Sequence, residues 1–360
     1  MYYQNERTQG CRISDAWTFR GLRTVIIENE SIRILIIADK GADISSFVYK
    51  PTDTEFMFRT PWGIRNPKLT TPPTGDPASV WLDYYEGGWQ SVLPYGGYPG
   101  KYYGADFGIH GDVNTVPWDI RITNDSPEKC EVEFLGRSVR SPFEIRKTVS
   151  IISGQSFINV KQVVNNLAEQ DLDMVWLEHI AIGGSFLSDE CSLTLPKCDV
   201  LSHPEDIDPS SKLTPNFKGP WPYVPLKDGS TSDFRNIPGK SDRSLDMAYM
   251  TNFEDGWYAV TNSSNKLTWG VEFPKEIFKY LWYWRNFGGG YGYPWYGRCY
   301  NAGLEPCTSW NNVGYEQAKK NGTTLPVKAG QTITANIRAG VFTDYLPKNK
   351  KNPFTGVNIP

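Results

Sequence analysis

Short runs in which apolar and polar residues alternate recur along the chain. Alternation with period two places one face of a strand in a core and the other in water, and β-branched residues favour that conformation. Helical periodicity is nearly absent, and only Ala78–Tyr85 and Val313–Lys319 are predicted as short helices. The pattern predicts strands near Arg23–Ile27, Ile32–Ala38, Asp43–Tyr49, Trp118–Thr123, Cys130–Leu135, Glu144–Ser153, Phe157–Asn165, Met174–Ala181, Ser192–Leu195, Trp257–Thr261, Leu267–Phe273, Tyr280–Trp284 and Thr332–Phe342.

The longest alternating stretch runs from Glu144 to Asn165 and is interrupted at Ser153-Gly154-Gln155, which predicts an antiparallel hairpin. Many strands with turns at short spacing, without regular alternation of strands and helices, are typical of packed antiparallel sheets. The predicted fold class is therefore all-β, a large antiparallel β-sandwich with few short helices. The sequence contains no internal repeat and no evident linker, so residues 1–360 are expected to form a single domain.

Two long stretches rich in proline and glycine interrupt the strand pattern, Thr60–Pro77 and His203–Arg243. Long loops inside a compact domain are often functional, because binding residues are commonly carried on loops that a rigid scaffold positions. We therefore expect both stretches to form lids over a cleft or walls beside it.

Charge and composition narrow the function. Charged residues are 21% of the chain, hydrophobic residues are 39%, and the net charge is −3, which is typical of a globular protein without the basic surface that nucleic acid requires. The first apolar run, Ile34–Ala38, is too short for a signal core or a membrane span, so a cytoplasmic location without membrane contact is expected. The six cysteines have no metal-ligand spacing and are expected to be free thiols.

Aromatic residues are abundant, with 13 Trp, 20 Tyr and 17 Phe. Such residues fill the cores of β-proteins, and they also stack against the C–H faces of sugars. Composition alone leaves both interpretations open.

Two of the three histidines lie in unusual surroundings. His110 is followed by Gly111 and preceded at two residues by Gly108, and glycines allow close approach of the backbone to a ligand. His179 lies in a strand that runs into a glycine pair, and its neighbour Glu178 should point to the opposite face. His110 could equally be a turn residue, and His179 a residue of the core.

Glu305 stands between Leu304 and Pro306, shortly after the densest aromatic part of the chain, Tyr280–Tyr296. A buried carboxylate is costly unless it is paired or functional, and aromatic surroundings should raise its pKa. Glu305 is therefore a candidate for proton transfer.

Taken in order, His110-Gly111, the strand with His179, Asp233-Phe-Arg235, Asp246 and Leu304-Glu-Pro306 resemble the aldose 1-epimerases, the galactose mutarotases and their relatives. The opening stretches Gly41–Tyr49 and Thr52–Met57, and the closing stretch Leu325–Thr332, are similar to the first hairpin and the last element of that superfamily. The resemblance covers nearly the whole chain and implies the galactose mutarotase-like supersandwich.

The resemblance implies that His179 is the general acid, that Glu305 is the general base, and that His110 and Asp246 bind sugar hydroxyls. The chain departs from the galactose mutarotases at Glu178, where they usually carry Asn, and at Gly87–Pro94, where they carry an Asn-Arg pair. Gln90 is our candidate for the replacement ligand. Trp89, Gln90, Asp246 and Arg285 are together expected to line the cleft.

The implied reaction is the interconversion of α and β anomers of an aldose or a modified sugar by acid/base ring opening. It needs no cofactor and no metal. The expected partner is a small-molecule sugar, with a homodimer left open. Alternatives are a sugar-binding or sensing protein without catalysis, a glycoside hydrolase or lyase using Glu305 and Asp246, and an enzyme whose anionic sugar is held by Arg285 and Arg298.

Overall fold

The computed structural model describes residues 7–67, 69, 75–343 and 351–356 and consists mainly of strands. Numbered in chain order, the strands are β1 (Arg12–Ser14), β2 (Thr18–Phe19), β3 (Leu22–Glu28), β4 (Ile32–Ile37), β5 (Asp43–Tyr49), β6 (Thr54–Glu55), β7 (Trp89–Val92), β8 (Gly100–Tyr102), β9 (Ala105–Phe107), β10 (Asp119–Asp125), β11 (Lys129–Arg137), β12 (Phe143–Ile152), β13 (Phe157–Asn166), β14 (Leu172–Met174), β15 (Leu177–Ile182), β16 (Cys191–Thr194), β17 (Asp199–Ser202), β18 (Lys218–Pro220), β19 (Tyr223–Pro225), β20 (Thr231–Asp233), β21 (Ser244–Thr251), β22 (Trp257–Asn262), β23 (Leu267–Glu272), β24 (Tyr280–Phe287), β25 (Tyr300–Cys307), β26 (Leu325–Val327) and β27 (Thr332–Phe342). The α-helices of the described residues are α1 (Pro77–Tyr84) and α2 (Tyr315–Lys320), and single 3₁₀ turns lie at Lys50–Thr52, Val113–Thr115 and Lys240–Asp242.

Two large antiparallel sheets make up the fold. The first has 13 strands, with the order β1-β3-β4-β5-β7-β15-β25-β24-β21-β17-β18 and with β2 and β6 attached to β3 and β5. The second has eight strands, in the order β10-β11-β12-β13-β27-β23-β22-β16. The prediction of an all-β protein built from large antiparallel sheets with few short helices is confirmed.

The eight-stranded sheet shows how the sequence pattern produces the fold. In β11 every second residue is buried, and Cys130, Val132 and Phe134 enter the core. The predicted hairpin is formed by β12 and β13, which pair from Phe143 with Asn166 onwards. Alternation identified these strands because one of their faces meets the core and the other meets water.

The centre of the 13-stranded sheet behaves differently. β15 is buried along its whole length, and seven of the eight residues of β21 and of β25 are buried. Strands covered on both faces lose the alternation of apolar and polar residues. For that reason the sequence pattern missed β7, β21 and β25, and it joined β14 and β15 into one strand at Met174–Ala181.

The two predicted helices are present within two residues of their expected bounds. α1 begins at Pro77 after Asp76, whose side chain accepts a hydrogen bond from the backbone N–H of Ser79. An aspartate that caps a first turn, followed by a proline, is a favoured start of a helix. α1 carries Trp81 into an aromatic cluster with Phe58, Tyr85 and neighbouring residues.

The two proline- and glycine-rich stretches, Thr60–Pro77 and His203–Arg243, were expected to form lids or walls of a cleft. Positions 68 and 70–74 of the first fall outside the described residues. The second stretch contains the short strands β18, β19 and β20.

All six cysteines are buried and free, as expected. In the described part of the chain no helix is long and apolar enough to cross a membrane.

Candidate active site

A cavity of about 260 Å³ opens on one face of β15, β25, β24 and β21. Aromatic side chains dominate its walls, and two histidines and two residues with carboxyl groups reach it. Its lining is formed by Trp81, Leu82, Gly97, Tyr98, Ile109, His110, His179, Ile207, Asp208, Leu245, Met247, Trp282, Trp284, Gly292, Tyr293, Pro294, Trp295, Glu305 and Asn312.

The strand register brings His179 and Glu305 together. β15 and β25 are antiparallel neighbours, with Leu177 opposite Cys307 and Ala181 opposite Gly303. Stepping two residues along each strand places His179 opposite Glu305 on the same face. Nε2 of His179 lies 3.5 Å from Oε1 of Glu305, and both side chains are almost fully buried.

Glu178 points away from the cavity, as strand alternation predicts. Its two carboxylate oxygens accept hydrogen bonds from the indole N–H groups of Trp89, at 2.7 Å, and of Trp176, at 2.8 Å. Glu178 therefore has partners of its own on the opposite face of the sheet and does not compete with Glu305 for His179.

His110 forms a second side of the same site. Its backbone has a φ of 60°, in the left-handed region, and its Nδ1 accepts a hydrogen bond from the backbone N–H of Gly97 at 3.2 Å. In the neutral ring the proton then lies on Nε2. The ring centroids of His110 and His179 are 5.2 Å apart, and Trp81 packs its edge against His110 at 4.7 Å. The predicted grouping of His110, His179 and Glu305 is present.

Burial controls the protonation of these residues. It raises the pKa of Glu305 well above the ordinary value for a carboxyl group. It also lowers the pKa of His179 to about 3, and the nearby charge of Lys40 adds to this effect. The pKa of His110 is likewise well below its usual value, through burial and the neighbouring His179. The order of the two pKa values is thus inverted, because burial favours the uncharged form of each group.

A buried ion cluster, which we call the Lys40 cluster, is near His179. Nζ of Lys40 lies 2.7 Å from Oδ2 of Asp43 and 2.8 Å from Oε2 of Glu86, with all three side chains buried. Gln90 is opposite His179 in the β7–β15 pairing, and its amide donates to Oδ2 of Asp43 at 2.8 Å. The Lys40 cluster was not anticipated from the sequence, because Glu86 is more than 40 residues from Lys40 and Asp43 along the chain.

Two residues of β7 do not line the cavity, contrary to expectation. Gln90 is fully buried, and its side chain is committed to Asp43. Trp89 is on the opposite face, where it donates to Glu178. The prediction placed both in the cleft because this stretch stands where the galactose mutarotases carry an Asn-Arg pair, whereas in a strand adjacent side chains point to opposite faces.

Asp246 and Arg285 also lie outside the cavity lining, so the expectation that they line the cleft has to be corrected. They are direct partners in the β21–β24 pairing, so they share a face. Their neighbours Leu245, Met247 and Trp284 are on the cavity side. Asp246 instead accepts hydrogen bonds from the backbone N–H groups of Lys212 and Leu213, in the 203–243 stretch. The guanidinium of Arg285 lies 3.8 Å from the ring centre of Phe234. Arg298 lies outside the lining as well.

The sequence did not single out several wall residues. In the aromatic tract the even-numbered Trp282 and Trp284 face the cavity, and knowing that this tract is a strand would have identified them. Trp81 comes from α1, while Asp208 and Ile207 come from the 203–243 stretch that was expected to form a wall. No group of three or more His, Cys, Asp or Glu with metal-binding geometry occurs among the described residues.

Comparison with solved structures identifies the class of fold. A proposed aldose 1-epimerase from Klebsiella pneumoniae is 13% identical, with a TM-score of 0.68 over 92% of this chain and 83% of that one. A galactose mutarotase related enzyme from Lactobacillus acidophilus is 14% identical, with a TM-score of 0.58 over 90% of this chain and 99% of that one. A galactose mutarotase-like protein from Clostridium acetobutylicum is 13% identical, with a TM-score of 0.58, covering 92% and 99% of the two chains.

The protein therefore has the galactose mutarotase-like fold that the sequence resemblance implied. Within that class the chain belongs to the family DUF4432, described as a domain of unknown function, whose model matches residues 19–341. No curated protein matches the sequence.

Proposed function

We propose that this protein is an aldose 1-epimerase in which His179 and Glu305 transfer protons to and from the anomeric centre of a monosaccharide. The observation that supports this most directly is their approach to 3.5 Å at an aromatic cavity, from adjacent strands. A buried acid and base that face each other, with strongly shifted pKa values, form a typical proton-transfer pair.

The reaction needs only one proton on this pair. His179, uncharged, takes the proton of the C1 hydroxyl while Glu305 gives its own to the ring oxygen, and the C1–O5 bond breaks with its electrons going to O5. Rotation about C1–C2 in the open aldehyde exposes the other carbonyl face. Closure returns each proton in the reverse sense, which yields the other anomer and restores the pair.

This direction reverses the roles that the sequence resemblance implied, in which His179 is the acid and Glu305 the base. The reversal follows from burial, which favours the uncharged form of both groups. Because each group acts once as a donor and once as an acceptor, both assignments use the same two residues. Positioned proton transfer of this kind contributes a factor of about 10²–10⁴ in rate.

The test is the mutarotation of freshly dissolved α-anomers, followed by optical rotation with the spontaneous rate subtracted. We expect His179→Asn and Glu305→Gln each to lower kcat by about 10²–10⁴-fold. Glu272→Gln is the matched control, since Glu272 belongs to β23 of the other sheet and pairs with Arg338. It should keep the wild-type rate.

Three results would contradict the proposal. Near-wild-type rates in either site variant, with unchanged circular dichroism, would remove that residue from the reaction. Sugar binding without turnover by the wild-type protein would indicate the sugar-binding or sensing alternative. Release of reducing ends from oligosaccharides would indicate a hydrolase, although Asp246, the second carboxylate expected for it, faces away from the cavity.

A further inference from the structure

The walls of the cavity are more apolar than a fully hydroxylated sugar requires. Four tryptophans and the aliphatic side chains of Ile109, Ile207, Leu245 and Met247 surround the His179–Glu305 pair; the tryptophans are Trp81, Trp282, Trp284 and Trp295. The volume of about 260 Å³ lies below the roughly 300–1,000 Å³ of pockets for drug-sized ligands. The cavity therefore suits one sugar ring with an apolar side.

The titratable groups that face the cavity offer no positive charge to an anionic sugar. Asp208 and Glu305 carry carboxyl groups, and the two histidines are uncharged because burial lowers the pKa of each. Arg285, which the sequence suggested as an anchor for an anion, is on the other face of the sheet. A carboxylate or phosphate on the sugar would be repelled by Asp208 and desolvated against tryptophan rings.

Several polar groups of the lining already have partners within the protein. One carboxylate oxygen of Asp208 accepts from both the backbone N–H and the hydroxyl of Ser210. Oδ1 of Asn312 accepts from Tyr249 at 3.0 Å, and the Tyr293 hydroxyl donates to Asp83 at 2.9 Å. A sugar hydroxyl buried among such groups would lose its hydrogen bonds to water with few replacements.

One part of the cavity wall lies beside the His179–Glu305 pair, where the C1–O5 edge of the sugar would react. Met247 is the direct strand partner of Trp284, whose ring centroid is 5.9 Å from that of His179. C6 is attached to C5, next to the ring oxygen that the pair protonates, so this substituent must lie close to the pair. Met247, Leu245 and Trp284 offer it an apolar surface.

We propose that the substrate is an uncharged 6-deoxyhexose, whose C6 methyl group packs against Met247, Leu245 and Trp284. This inference rests on the proposed function, which places the C1–O5 edge of the sugar at the His179–Glu305 pair. It goes beyond that function by naming the substrate class. A wall of this type packs well against a methyl group, and a pocket shaped for an apolar substituent gains little from an added hydroxyl.

The experiment compares sugars that differ only in the C6 hydroxyl: D-galactose with D-fucose, L-galactose with L-fucose, and D-mannose with D-rhamnose. Both binding, by tryptophan fluorescence, and mutarotation are measured. We expect the preferred 6-deoxy sugar to exceed its hydroxylated partner by on the order of 10–100-fold in affinity and in kcat/KM. D-Galacturonate and galactose 6-phosphate should bind at least about tenfold more weakly than galactose.

The two measurements separate the two proposals. Equal or better binding of the hydroxylated partners overturns the substrate class, even if those sugars are turned over. A binding preference for the 6-deoxy sugar without turnover supports the substrate class and overturns the epimerase.

A pair of variants tests the wall itself. Met247→Gln places an amide of similar shape where the methyl group is expected, and it should reduce the preference for the 6-deoxy sugar by about tenfold. Met247→Leu keeps an apolar wall and should keep the preference. An unchanged preference in Met247→Gln, with the folded circular dichroism spectrum, would show that C6 lies elsewhere.

Discussion

Single residues of this protein acquire their chemistry from burial. Glu305 and His179 are ordinary titratable side chains in the sequence, and the cavity makes the uncharged form of each the stable one. Burying a carboxyl group in this way reduces stability, because the unfolded chain ionises it freely. The raised pKa of Glu305 therefore comes at a cost in stability.

The sign of this effect gives a prediction. Because the pKa of Glu305 is raised in the folded state, the folded protein binds one proton more than the unfolded chain between pH 4.5 and the folded pKa. The contribution of Glu305 to the free energy of unfolding is fully present below pH 4.5, and it falls as the pH rises from 4.5 towards the folded pKa. Glu305→Gln is neutral throughout, so its stability relative to the wild type should be greater at pH 8 than at pH 4.5.

Urea unfolding at both pH values measures this difference. Glu272→Gln serves again as the control and should show no gain that grows with pH, because Glu272 is partly exposed and pairs with Arg338. A Glu305→Gln effect of equal size at pH 4.5 and pH 8 would mean that burial does not shift the pKa of Glu305.

At the scale of elements, strand alternation assigns Asp246 a different task from the one expected. Its Oδ1 accepts the backbone N–H groups of Lys212 at 2.8 Å and Leu213 at 3.1 Å, and it is 3% exposed. These bonds tie the 203–243 stretch to β21, close to where Ile207 and Asp208 enter the cavity wall. Asp246 thus positions a wall of the site from behind the sheet.

Asp246→Ala should leave two N–H groups without an acceptor, which costs about 1–3 kcal/mol of stability. The loosened wall should raise KM several-fold while kcat changes less. Asp246→Asn keeps an acceptor and should largely restore KM. Asp233→Ala, in the same stretch but in an exposed pair with Arg235, is the control and should change neither quantity. A fall in kcat with unaltered KM would place Asp246 in the chemistry instead.

At the scale of the whole molecule, the two large sheets share one hydrophobic core, which contains residues from Cys11 to Val341. Trp269 of β23 is fully buried and meets the other sheet at Phe47, with ring centroids 4.9 Å apart, and at Phe56, at 5.5 Å. Such contacts couple the sheets energetically. They agree with the expectation of one domain, which stays a prediction.

Trp269→Ala should lower the free energy of unfolding by about 3–5 kcal/mol, because it opens a large cavity between the sheets. If the chain is one folding unit, the wild type and the variant should each unfold in a single transition, with the same midpoint by fluorescence and circular dichroism. Trp17→Ala is the control, since Trp17 is 63% exposed. Two separated transitions would divide the chain into more than one domain.

The sequence by itself determined the fold class, the β12–β13 hairpin and both helices, and its resemblance to the aldose 1-epimerases pointed to His110, His179 and Glu305. The hairpin could be predicted because one face of its strands is exposed to solvent, which produces alternation in the sequence. The helices could be predicted because capping and turn residues act locally. Local features added to that resemblance, since Gly108 and Gly111 lie near His110 and Glu305 stands among apolar and aromatic residues.

Only the tertiary structure decided which other residues reach the cavity. β7, β21 and β24 are buried over most of both faces, so their sequences do not show which side is which, and Gln90, Asp246 and Arg285 were assigned to the wrong surroundings. The register of β15 against β25, which brings His179 to Glu305, depends on pairing between segments about 120 residues apart. The Lys40 cluster and the inverted pKa values likewise arise only when distant segments are buried together, since burial is a property of the folded chain.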